Sequence, residues 1–305
     1  MNNAITIIED LIRESLSVQQ GLHIQAVAGG DIHHSFSVRF DDPVEIKDSE
    51  YEQLFIKLCD LSNIEVLQSE YDSLRLISRH RDIHYPSPVS FLSNNKVALL
   101  AMTFHPMSAL NATTASNAGE MLAIQHGHTN DKHGWQSDNF IGLTPQINTQ
   151  KSLWFEFYRD YRLVPQIQLA SRNQISAELV KKFDNTIPLI EHVLANRNPL
   201  PSLLHGDLWS GNLAHDTRSD RAIFFDPAPY YGDPETDLAM TELFGSLPPS
   251  FYQAYQQVIP IESDYLKRKP IYNLYHALNH FNLFGAGYEM MVDSMLTQIQ
   301  TLNSI

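Results

Sequence analysis

Residues 203–212, LLHGDLWSGN, and 223–237, IFFDPAPYYGDPETD, decide how this chain is read. Two leucines lead into His205, Gly206 and Asp207, and Asn212 follows Asp207 by five positions. The apolar run 222–225 then delivers Asp226. A turn-rich loop with scattered acids would have a similar composition, so the weight lies in the order and spacing. An acid, an amide five places on, and a second acid at the end of an apolar run make a set of oxygen donors. Phosphoryl transfer uses such a set, one group to orient a nucleophile and two to hold Mg²⁺.

Protein kinases carry the same order, an H-x-D-x-x-x-x-N loop followed by a strand that ends in a metal-binding Asp. On that spacing Asp207 is expected as the base, and Asn212 and Asp226 as the Mg²⁺ ligands. Working back from the loop, Ile5, Ile8, Leu11, Ile12 and Leu16 recur at helical spacing, so the chain is expected to open with an amphipathic helix. Residues 22–28, 33–40 and 54–58 read as strands between turn-formers. Gly29, Gly30 and Asp31 separate the first two; they allow a backbone to approach a phosphate, and they equally make a plain hairpin turn. Lys57 lies in the third strand, FIKLC, where it could simply point outward. The helix predicted over 64–80 favours another role. Its apolar stripe is Leu67, Tyr71, Leu74 and Ile77, and Glu70 falls on that stripe. A carboxylate there needs a partner, because burying an unpaired charge is costly. Lys57 is the natural one, and a strand lysine paired with a helix glutamate is the kinase device for holding the α- and β-phosphates of ATP.

Residues 89–92 and 96–102 read as a hairpin around Asn94 and Asn95, and Thr103, Phe104 and His105 follow it before a proline stop. In a kinase-like fold this is the adenine-binding hinge, although an ordinary strand end looks the same. Beyond it the chain reads as mostly helical, with segments at 115–125, 151–170, 177–195, 234–244, 266–284 and 290–302. His126, His128 and His133 invite a metal reading, but no HExxH or cysteine partner supports it, and a hydrogen-bonded loop is the simpler reading. Residues 135–148 form a loop carrying Trp135, Asp138 and Asn139, and long ordered loops often line sites. Tyr272, Tyr275, His276, Asn279 and His280 share one helix, either as core residues with satisfied tips or as a substrate-facing wall.

The 305 residues are 43% hydrophobic and 18% charged, as in a globular chain able to bury a substantial core. A net charge of −14 argues against general nucleic-acid binding, which needs a basic face. The single cysteine, Cys59, excludes an intramolecular disulfide and suits a reducing compartment. Acids interrupt the apolar pattern of the N-terminus, so neither a signal peptide nor a membrane span is expected, and a cytoplasmic location follows.

The chain resembles the fructosamine (ketosamine) kinases, within the kinase-like aminoglycoside/choline phosphotransferase superfamily. The resemblance rests on GGDI (29–32), FIK (55–57), Glu70, DNFIGLTPQIN (138–148), HGDLWSGN (205–212), DPAPYYGDPETDLAM (226–240) and LNHFNLFG (278–285). It implies an α+β, bilobal protein-kinase-like fold. An antiparallel-sheet lobe that binds ATP would span 1–104, and a mostly helical catalytic and substrate lobe 105–305. It implies Asp207 as proton acceptor, Asn212 and Asp226 on Mg²⁺, and Lys57 and Glu70 on the ATP phosphates. Gly30 would lie in the glycine loop, and Thr103, Phe104 and His105 in the hinge. Trp209, Asp138, His276 and His280 are the expected substrate contacts. The implied reaction phosphorylates the sugar of ketoamines, free or on glycated proteins, at the third carbon's hydroxyl. The unstable product then releases the amine. Two departures stand out. Thr103 replaces the usual hinge glutamate, and Asp31 occupies the place where some relatives carry a redox-active cysteine. A kinase of the same fold acting on an aminoglycoside, choline or a simple sugar is the nearest rival, and a catalytically dead binding module the more distant one.

Overall fold

The computed structural model describes residues 2–27 and 33–302. The first elements are α1 (Asn2–Leu16), β1 (Leu22–Ala26), β2 (His34–Ile46), β3 (Ser49–Asp60), α2 (Ile64–Ile77), β4 (Pro88–Ser93), β5 (Val97–Thr103) and β6 (Met107–Ser108). Next come α3 (Ala112–His126), β7 (Asn139–Ile141), β8 (Thr144–Gln146), α4 (Trp154–Tyr158), α5 (Val164–Arg172), α6 (Ala177–Leu194) and β9 (Ser202–Leu203). The chain ends with β10 (Leu213–Asp216), β11 (Arg221–Phe224), β12 (Tyr231–Gly232), α7 (Glu235–Thr241), α8 (Pro249–Val258), α9 (Tyr265–Phe284) and α10 (Glu289–Leu302). It divides into two compact units, Met1–Ala109 with His215–Phe225, and Leu110–Ala214 with Asp226–Ile305. This division differs from the 104/105 boundary expected from sequence, because the β10–β11 hairpin returns to the first unit by pairing β10 with β6.

The first unit is built on an antiparallel sheet in the order β1-β2-β3-β5-β4. Alternation along β3 sorts its side chains by face. Leu54, Ile56 and Leu58 join Ile8, Leu11 and Ile12 of α1 in one apolar core. Lys57, one residue out of step, is therefore on the opposite face, where α2 packs. The β2–β3 hairpin runs well past the strands read from sequence. Its tip, Lys47 and Asp48, has both residues at positive φ (51° and 62°), the geometry of a two-residue hairpin turn. Acids and Pro43 obscure the alternation in this extension, but Val44 and Ile46 are buried, and a register shift between Arg39 and Val44 accommodates the proline.

The second unit is mostly helical. The buried helix α9 is packed by α5, α6, α7 and α10, and α8 lies on α3. Between α4 and α5 the helix widens into a π turn, Arg159–Leu163. It carries Arg162, which is buried with its guanidinium 4.0 Å from the Tyr230 ring centroid and 4.7 Å from that of Phe157. No helix among the described residues is long and apolar enough to cross a membrane.

Candidate active site

β9 delivers residues 204–207, and β12 closes the loop that begins at Asp226. The pairing of Leu203 with Tyr231 holds the two loops side by side. Ala228 N donates to His205 O at 2.8 Å. Gly206 has φ +84°, and a Cβ there would run into the Ala228 carbonyl, so the close approach of the two loops requires glycine. Asp226 itself sits at φ +55°, a strained conformation for a non-glycine residue of the kind that gathers at functional sites.

Within the loop, Asn212 Nδ2 donates to Asp207 O at 2.9 Å and to Asp207 Oδ2 at 3.4 Å, leaving Asn212 Oδ1 as the atom available to a ligand. The Asp207 amide donates to Nδ1 of the buried His205 at 3.2 Å. The Asp207 carboxyl is pushed up to about 7, first by burial and then by the charges of Asp226 and Asp237, with Asn212 opposing. A carboxylate that holds its proton to neutral pH has the right basicity to accept one from a substrate hydroxyl.

Asp237, at the start of α7, had no assigned role in the sequence reading. It is almost fully buried. Its oxygens accept the backbone N–H of His205 (2.7 Å) and Gly206 (2.9 Å), and His126 Nε2 lies at 3.1 Å. Burial opposes its charge, but His126, the His205 ring and the Gly206 amide more than offset that and hold its carboxyl below the usual range. The residue thus clamps the backbone just before Asp207. An acid set directly before the apolar run 238–240 was the available sequence signal.

The 138–148 run braces the other loop. Asn139 Nδ2 donates to Pro229 O (2.8 Å), and Gln146 Nε2 to Ala228 O (3.1 Å) and Asn139 Oδ1 (2.8 Å). Asn148 continues the chain of amides to Arg162 Nη2 at 2.6 Å. Asp138 is exposed, and its carboxylate accepts the Asn148 N–H at 2.8 Å. Trp209 lies over Gly211, where a Cβ would strike its ring, and packs edge-on against Phe244 at 5.9 Å. Phe244 in turn lies 4.6 Å from His280, which also contacts Phe284 and Tyr288. His276 is buried, and burial depresses its pKa to about 3, so it is neutral.

In the first unit, Lys57 Nζ donates to Glu70 Oε1 at 2.6 Å, with both side chains largely shielded. Lys57 is held between Ser35 of β2 and Leu100 of β5. Thr103 ends β5, where its N–H donates to Ser87 O (2.9 Å) and its Oγ1 accepts the Ser87 N–H (2.8 Å). Phe104 and His105 follow, both half-buried. Gly30, with Gly29, Asp31 and Ile32, lies outside the described residues.

An antiparallel-sheet unit with a strand-lysine/helix-glutamate pair, and a helical unit bearing the Asp–Asn–Asp loops, define a kinase-like phosphotransferase. The family model of fructosamine kinase matches residues 4–302, and the chain belongs to that family. It is 37% identical over 278 residues to a Synechocystis protein named probable ketoamine kinase, covering 90% of this chain and 89% of the other. It is 44% identical over 184 residues to the chloroplastic protein-ribulosamine 3-kinase of Arabidopsis thaliana, covering 58% and 55% of the two chains. In structure it resembles a Haemophilus somnus protein provisionally named fructosamine-3-kinase, with a TM-score of 0.82 over 96% of each chain and 24% identity.

Proposed function

We propose that the chain transfers the γ-phosphate of ATP to a sugar hydroxyl of ketosamines, small or carried on glycated proteins, and that Asp207 is the catalytic base. The observation that carries this reading is the Asp207 loop. Its carboxyl is tuned to about 7, its backbone is clamped by Asp237, and it is hydrogen-bonded to Asn212. Asp207 accepts the proton of the attacking hydroxyl as that oxygen bonds to the γ-phosphorus. The bond from phosphorus to the bridging oxygen breaks, and ADP leaves with that electron pair. Lys57, oriented by Glu70, holds the α- and β-phosphates, and the backbone of 103–105 receives the adenine.

Asn212 Oδ1 and the Asp226 carboxylate are the ligands proposed for Mg²⁺. An all-oxygen set suits that ion, and a divalent cation there would relieve the repulsion from Asp226 and Asp237 that adds to burial in raising Asp207. When bound, Mg²⁺ neutralises phosphate charge. Trp209 and His280, joined through Phe244, offer an aromatic wall to the sugar or its amine. A cytoplasmic location accords with the free, buried Cys59. The test is Mg²⁺-dependent ADP release on adding a small ketosamine. Asp207→Ala should abolish it while leaving ATP affinity within a few-fold, and near-normal turnover in that variant would remove Asp207 from the role.

A further inference from the structure

His84, His105 and Asp216 are far apart in sequence, yet their donor atoms all lie within 4.8 Å of one another. Asp216 is buried at the end of β10, His84 precedes β4, and His105 follows β5; all three belong to the first unit. His84 Nε2 lies 3.1 Å and His105 Nδ1 3.0 Å from the same oxygen, Asp216 Oδ2. The two imidazoles meet edge to face, with their centroids 5.1 Å apart. We propose that these three side chains bind a divalent transition-metal ion of the zinc type, built from residues that the phosphoryl-transfer reading does not use as metal ligands.

Two imidazoles and one carboxylate with an open fourth position form a donor set that zinc accepts, and one that magnesium, which prefers oxygen alone, does not. Tetrahedral bonds of about 2.0–2.1 Å set neighbouring donors roughly 3.3 Å apart, close to the two observed N···O separations. Binding then needs the two ring nitrogens, which lie within 4.8 Å of each other, to draw closer and each to present a lone pair in place of its N–H. The surrounding groups support the ligand forms required. His105 Nε2 lies 2.9 Å from Thr103 Oγ1, which already accepts the Ser87 N–H and has a second lone pair. The Nε2–H tautomer, donating to Thr103, is the one that turns a bare Nδ1 toward the ion. A second-layer partner of this kind usually accompanies a metal-bound histidine. On the carboxylate, the Arg218 N–H (3.0 Å, on Oδ1) and Ser219 Oγ (2.7 Å, on Oδ2) hold its orientation. A bound ion would replace these two hydrogen bonds with three coordinate bonds, one from each imidazole and one from the carboxylate, each neutral ring moving its N–H to the ring nitrogen that faces away from the ion. It would tie the segment after β5 to the β10–β11 hairpin.

The probe is zinc alone. The full chain is dialysed to equilibrium against a limiting zinc concentration in excess Mg²⁺, and bound zinc is counted per chain. Cobalt then replaces zinc, so that its visible absorption reports the coordination geometry. One zinc per chain is expected, with the absorption of a four-coordinate nitrogen–oxygen site. His84→Gln and Asp216→Asn should each weaken binding at least about tenfold, and Thr103→Val by about tenfold, as loss of a second-layer partner does. Asp226→Asn should leave it unchanged. The half-buried His84 lies outside regular structure, so its variant keeps the test valid should Asp216→Asn misfold. The proposal is overturned if no zinc is retained, since the cluster is then a hydrogen-bonded clamp only. It is equally overturned if His84→Gln binds zinc as the parent does, or if the bound zinc disappears with Asp226→Asn.

Discussion

A base for phosphoryl transfer must be free of its proton when the hydroxyl arrives, and Asp207, the base proposed above, would meet that condition only at and above neutral pH. In the nucleotide-free protein its carboxyl sits at about 7, so kcat/KM should rise through that value and level off above it. A profile flat from pH 5.5 to 8.5 would disconnect the measured rate from Asp207. The same shift has a stability consequence of definite sign. The folded chain keeps this proton to a higher pH than the unfolded chain does, so folding is favoured most below about 4. That contribution is lost as pH rises toward 7. Asp207→Asn should therefore stabilise the nucleotide-free protein at pH 8, by on the order of 1–4 kcal/mol, and gain nothing near pH 4. Paired thermal melts at the two pH values check it. The contact between Asp207 and Asn212, and the place of Asp226 just after β11, were legible because the first depends on spacing along one loop and the second on the end of one apolar strand. Asp237 was not, because its oxygens meet backbone amides 31 and 32 positions upstream, a contact that no local pattern encodes. Asp237→Asn puts an NH₂ against one of those amides. It should lower kcat by roughly a hundredfold and cost about 3 kcal/mol of stability, with the KM for ATP nearly unchanged. A variant that loses stability but keeps kcat would reduce Asp237 to a structural role.

Among the elements, β3 and α2 show period reasoning at its best. A period of two places Lys57 opposite the α1 core, a period of 3.6 turns Glu70 to meet it, and the two side chains are 2.6 Å apart. Because each holds the other, their contributions to catalysis should not add. Lys57→Met, Glu70→Gln and the double variant should show a coupling of about 1–3 kcal/mol in kcat/KM for ATP. Strict additivity would mean that the pair does not act as a unit on the nucleotide. The elements that sequence reading missed failed for physical reasons. The outer half of the β2–β3 hairpin hides its alternation behind acids and a proline, with only Val44 and Ile46 to mark the buried face. The helix α8 buries just Phe251 and Tyr255 and presents polar residues elsewhere, leaving too narrow a stripe to stand out. The 138–148 run was recognised as a signature, but its amides serve to fix the backbone of Ala228 and Pro229.

At the scale of the whole chain, the family match over residues 4–302 means that little of the sequence lies outside the catalytic fold. The return of the β10–β11 hairpin to the first unit could not be read from sequence, since β6 and β10 pair through just two residues on each strand. A net charge of −14 suits a substrate whose amine is cationic, and long-range attraction of that kind is screened by salt. The KM for a cationic ketosamine should accordingly rise between 20 mM and 300 mM salt more than that for a neutral one, and equal responses would show that charge does not guide this substrate. The most direct measurement offers ATP and Mg²⁺ with a fructosamine and a ribulosamine side by side, and maps the phosphorylated position on each product. Phosphate is expected on the third carbon's hydroxyl of at least one ketosamine, abolished in Asp207→Ala. Phosphorylation of a simple sugar or an aminoglycoside with neither ketosamine accepted, or ketosamine transfer that survives Asp207→Ala, would contradict it.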